Sequence, residues 1–196
     1  MENKKLNEQE SLALITQMIQ NSKKGLVVGS GNSFLFWGYL TLAVSIVIFL
    51  LLYITGNQSW FWLGIVIPVI GCLYTYWVSR RNGKKTMSYV DKVISNVWQI
   101  VGGTCAIIAL LALNYGNNIA ILPLLLLVLS VGAGITGSVI QEKSFYNCSA
   151  FGIAISLGML FNINSIVEGP LRQVFAFALA ITVVMIIPGH MVNRKA

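Results

Sequence analysis

Residues 34–55 read FLFWGYLTLAVSIVIFLLLYIT, an unbroken run without a single charge. A helix rises roughly 1.5 Å per residue, so about 20 such residues cross a ~30 Å hydrocarbon core. Comparable apolar stretches follow at about 60–78, 96–113, 119–140, 145–163 and 172–192. Lipid offers the backbone no hydrogen-bond partners, so each stretch is expected to satisfy its own amides as a helix. Six spans result, and they take up most of the chain.

The basic residues orient those spans. Of 13 Lys and Arg, all but Arg172 fall in the tail or in alternate gaps. Lys4, Lys5, Lys23 and Lys24 precede the first span, and Arg80, Arg81, Lys84, Lys85 and Lys92 follow the second. Lys143 follows the fourth, and Arg194 and Lys195 the sixth. Positive charge stays on the cytoplasmic side during insertion, which places both termini there. The expected fold is an all-α membrane protein: six transmembrane helices as three consecutive hairpins, preceded by an amphipathic cytoplasmic helix. Residues 1–33 form the tail and 34–196 one membrane domain.

Composition agrees. Apolar residues make up 56% of the chain and charged residues 10%, against about 25% charged in soluble domains. Mean hydropathy is +0.77, and no connection is long enough for a soluble domain. The net charge of +7 tracks the cytoplasmic gaps, where anionic lipid headgroups are the expected partner rather than nucleic acid. The gap from Ser79 to Lys92, with its five basic residues, is the strongest anchor and a candidate site for an anionic lipid or a regulator. Trp60, Trp62, Trp77 and Trp98 stand near span ends, where aromatic rings suit the interface. The 33-residue polar lead differs from a secretory signal, so the first span is expected to be retained.

Within the tail, Asn7 and Glu10 have capping-box spacing. Leu12, Leu14, Ile15, Met18 and Ile19 share an arc of about 160° on a helix over 8–24. Gly25 is placed to end that helix, with 25–33 as a flexible link. Such a helix either lies in the headgroup layer or docks on the protein's own face or a partner, with Leu12, Ile15 and Ile19 as docking residues.

Turn chemistry supports close antiparallel neighbours. Gly56-Asn57-Gln58-Ser59 and Asn114-Tyr115-Gly116-Asn117-Asn118 join spans by short loops. Pro170 suits the first turn of the last helix. Pro68, Pro123 and Pro188 predict kinks in or near the ends of spans two, four and six.

No Asp, Glu, Lys or Arg lies well inside a span, which counts against ion-coupled transport through titrating side chains. Asn96, Gln99 and Gly103 share one face of the third helix. They either bond to neighbouring helices or line a polar path. Ser130-Val131-Gly132-Ala133-Gly134-Ile135-Thr136-Gly137-Ser138 contains a formal dinucleotide fingerprint, but that motif needs a strand before its helix. Ser130, Gly134 and Ser138 instead form a row of small residues that admits another helix.

Catalytic, cofactor and metal sites have no candidates. His190 is the lone histidine and Asp91 the lone aspartate, and Cys72, Cys105 and Cys148 lack metal or disulfide spacing.

Glu10-Ser11-Leu12-Ala13-Leu14-Ile15-Thr16-Gln17-Met18-Ile19, followed by Phe34-Leu35-Phe36-Trp37-Gly38, resembles the opening of a group of small bacterial polytopic membrane proteins of similar length with no assigned activity. The resemblance covers residues 8 to about 45. It implies a bacterial cytoplasmic (inner) membrane setting and transfers no functional residue. The function expected from sequence is a non-catalytic accessory or regulatory role, with a protein partner or a homo-oligomer. The alternative is a channel or facilitator for a small neutral solute.

Overall fold

The computed structural model describes residues 8–81, 89–115, 120–161 and 169–195, the side chains of most of 8–31 excepted. The described residues are helical between short turns and contain no strand. Helix α1 spans Glu8–Thr55. A 3-10 segment, Gln58–Ile65, leads into α2, Val66–Arg81. Then come α3 (Tyr89–Tyr115), α4 (Ile121–Ile140), α5 (Lys143–Phe161) and α6 (Pro170–Ile181). A π turn, Thr182–Ile186, joins α6 to α7, Ile187–Lys195. Six helical segments are long and apolar enough to cross a membrane: Asn32–Thr55, Gln58–Val78, Lys92–Ala112, Ile121–Ile140, Lys143–Phe161 and Pro170–Arg194.

Helix α1 does not stop at Gly25 but runs unbroken for 48 residues, roughly 72 Å at 1.5 Å per residue. A glycine inside a helix costs only about 1 kcal/mol, whereas a proline costs ~3. Residues 8–55 include Gly25, Gly29 and Gly31 but no proline. The helix ends at Gly56, whose φ of 65° is the left-handed geometry that glycine adopts without strain. Beyond it, Thr55 Oγ1 accepts from the Trp60 indole at 2.9 Å, and Asn57 Oδ1 accepts from Ser59 N–H at 3.0 Å. The capping-box residue Asn7 lies outside the described residues, as do 82–88, 116–119 and 162–168.

Prolines mark the irregular backbone. Pro170 opens α6 behind Gly169, whose φ is 98°. Pro123 sits in the first turn of α4, where its missing N–H breaks no bond. Pro68 follows the change from 3-10 to α geometry at Val66. Pro188 has no N–H to offer the carbonyl four residues back, and its ring crowds that carbonyl. The turn before it widens accordingly, so that Ile187 N–H bonds Thr182 O five residues back.

Small residues decide which helices meet. Helices α4 and α5 are joined only by Gln141 and Glu142 and make the most extensive contact of any two described elements. A Cβ on Gly134 would stand 2.7 Å from Ser149 Oγ, and one on Gly137 would stand 2.6 Å from Phe145 Cβ. One on Gly152 would overlap both Ser130 and Val184. Helix α1 runs antiparallel along α6, the π turn and α7, with Gly38 against Met185 and Ile186. Phe34, Trp98 and Phe145 join α1, α3 and α5 edge to face near one end of the bundle. Ile48, Leu52 and Val174 form a smaller core elsewhere along α1 and α6.

The second and third of these six segments stay at the periphery. Only 6% of each is buried, against 50% of the last. Helix α2 packs on α1, where Phe36 stacks on Tyr74 at 3.7 Å, and α3 packs on α4.

Candidate functional site

Most interior polar side chains are already paired within the bundle. Thr136 Oγ1 donates to Gly132 O at 2.8 Å and accepts from the Trp98 indole at 3.2 Å. Ser156 Oγ donates to Pro123 O at 2.8 Å, tying α5 to α4. Ser149 Oγ bonds Tyr146 O in its own helix at 2.8 Å. The Trp98–Thr136 and Ser156–Pro123 bonds join separate helices, whereas the other two each lie within one helix.

Ser130 and Gly134 both face α5, while Ser138 is exposed and bonds back to Gly134 O at 3.1 Å. Ser130 is fully buried, and its Oγ is the one buried side-chain polar atom without a partner among the described residues. An unpaired buried hydroxyl costs about 1–3 kcal/mol. Ser130→Ala is therefore expected to leave stability unchanged or raise it by about 1 kcal/mol. Thermal unfolding in mild detergent checks this, and a clear loss of stability would show that the hydroxyl has a partner in the membrane.

Asn96 and Gln99 do not line the interior. Both are exposed on α3, together with Ile100, Gly102, Gly103 and Ile107, while Val101 turns inward against Gly132. Neither amide makes a hydrogen bond among the described residues. The three-to-four-residue spacing put them on one face, but spacing alone does not say whether a face turns in or out.

On α1, Leu12 is 65% exposed. Ile15 and Ile19 lie on the same helix, with side chains outside the described set.

Two polar links between α1 and α7 were not foreseen from sequence. Tyr39 Oη and His190 Nε2 lie 2.7 Å apart, and Asn193 Nδ2 donates to Asn32 Oδ1 at 2.7 Å. Their partners lie 151 and 161 residues apart, a separation that leaves no local signal. Both pairs are exposed.

A groove of about 240 Å³ runs between α1 and α6, bordered by Leu42, Ile46, Phe49, Phe175, Ala178 and Leu179. The three cysteines are free, and no cluster of His, Cys, Asp and Glu suited to a metal occurs among the described residues. No protein-family model, curated protein or solved structure matches this chain.

Proposed function

We propose that this chain is a multi-pass protein of a bacterial cytoplasmic membrane, with both termini inside, that serves a non-catalytic accessory or regulatory role through contacts in the membrane plane. The orientation rests on the distribution of Lys and Arg. The basic stretch around Arg80 and Arg81 then meets anionic headgroups. Leu12, with Ile15 and Ile19, offers a second contact surface on the cytoplasmic side.

The outer face of α3 carries the proposal. Gln99 lies seven residues beyond Lys92, about 10 Å into the span. A side-chain amide left without partners in hydrocarbon costs several kcal/mol. Each amide has both donors and an acceptor, so a second helix bearing amides or hydroxyls satisfies it. Gly102 and Gly103 let that helix come close. A solute path lined by Asn96 and Gln99 would have to form between chains, because both residues lie on the outside of one.

Asn96→Leu combined with Gln99→Leu removes both amides while keeping the face apolar. Interhelical hydrogen bonds contribute about 0.6–2 kcal/mol each, so the double variant is expected to weaken association by roughly tenfold or more. Chain-to-chain energy transfer in liposomes and recovery of bound protein after gentle extraction are the readouts. Unchanged association in both would remove α3 as the interface.

A further inference from the structure

We propose that the groove between α1 and α6 holds one acyl chain of an anionic glycerophospholipid whose phosphate is met by Arg172. The inference uses the topology above, which puts the Pro170 end of α6 in the outer leaflet.

The groove runs along the helix axes from Val174 to Thr182 on one wall and from Phe49 to Leu42 on the other. Eight residues correspond to about 12 Å of helix, so its shape suits a linear chain rather than a compact solute. Its lining is almost wholly apolar. Thr182 does not alter this, because its hydroxyl is turned to Ala178 O at 2.9 Å. Phe49 and Phe175, with ring centroids 6.2 Å apart, flank the groove near the start of α6.

Charge at the mouth selects the headgroup. Arg172 is exposed and belongs to no ion pair among the described residues. At about 100° per residue it lies roughly 20° from Leu179 and 60° from Phe175 around the helix, so it shares the stripe that borders the groove. Side chains lean towards the helix N-terminus, which carries the guanidinium outward to headgroup depth. Its planar fork matches two phosphate oxygens. The first turn of α6 adds to this: Gly169 offers no side-chain cap, so among the described residues its amide donors are left for another acceptor. Arg172 is also the one basic residue in an outer gap, where the charge bias disfavours it.

The test is lipid retention by the full-length protein, delipidated in mild detergent and given phosphatidylglycerol or phosphatidylcholine with the same acyl chains. Native mass spectrometry counts the bound molecules. The expected result is one tightly held phosphatidylglycerol, favoured over phosphatidylcholine by roughly tenfold, the effect of one charge-assisted hydrogen bond. Arg172→Gln removes that preference, and Leu179→Trp, at a side chain 53% exposed, fills the groove and lowers retention of both lipids. Arg80→Gln with Arg81→Gln, in the cytoplasmic gap, leaves the first lipid bound. Equal retention of the two lipids by the wild type, or an unchanged preference in Arg172→Gln, overturns the proposal. Retention in detergent does not depend on which leaflet Arg172 faces. A wrong topology would instead show as labelling of Arg172→Cys from the cytoplasmic side.

Discussion

Gly137→Val is expected to force α4 away from α5 and to destabilise the bundle. The Cβ alone would stand 2.6 Å from Phe145 Cβ, 2.9 Å from Tyr146 N and 3.2 Å from Phe145 C. Two of these atoms are backbone and cannot rotate aside. The turn is also pinned nearby, because Glu142 N–H bonds Gly137 O at 3.0 Å. Overpacking costs about 1–3 kcal/mol, and backbone contact puts this case at the upper end. Gly158→Ala is the control: it lies on α5 with no atom within 4 Å of its new Cβ. Thermal unfolding in mild detergent is expected to show a large loss for Gly137→Val and none for Gly158→Ala. Equal behaviour of the two would mean that α4 and α5 do not meet through Gly137.

Phe145→Ala is the opposite lesion at the same place. Phe145 is fully buried, and its ring lies 4.6 Å from that of Phe34, which in turn meets Trp98 at 5.2 Å. Through Trp98 and Thr136 the cluster reaches α4 as well. Truncation of a buried Phe costs about 3–5 kcal/mol in soluble cores, part transfer and part cavity. In a bilayer the transfer part falls away, since lipid is as apolar as the core, while lost dispersion contacts remain. A loss of about 2 kcal/mol is therefore expected, measured by a titration of the folded fraction with denaturing detergent. A loss below about 1 kcal/mol would show that the hole is filled by collapse or lipid, and that the aromatic cluster does not join the helices.

The sequence revealed six helices long and apolar enough to cross a membrane, because charge is expensive in hydrocarbon and interrupts such runs. Each helix of spanning length starts or ends within a few residues of the apolar runs, where Lys92, Lys143 and Arg194 or the turn at Gly56 interrupt them. It revealed Pro188 as a point of irregularity but not the kind. The choice between a bend and a widened turn depends on what packs there, and Val184 to Ile186 pack against Gly152 and Gly38. Gly25 read as a helix stop because glycine often ends helices, yet nothing in 25–33 forces the chain out of the helix. For Ser130 and Gly134 the row of small residues marked a close approach, and the helix that approaches is α5 of the same chain. The direction faced by Asn96 and Gln99 was not legible. Periodicity groups residues on a face, whereas a span can turn either face to lipid at little cost.

The most direct test of the central claim places a photo-crosslinking amino acid at Gln99 in native membranes, with Phe151 as the comparison. Phe151 is 53% exposed on α5 and lies outside the proposed interface. The expected result is a discrete adduct of defined mass from position 99 and none from position 151. No adduct at 99, or the same diffuse products from both positions, would contradict an interface on α3.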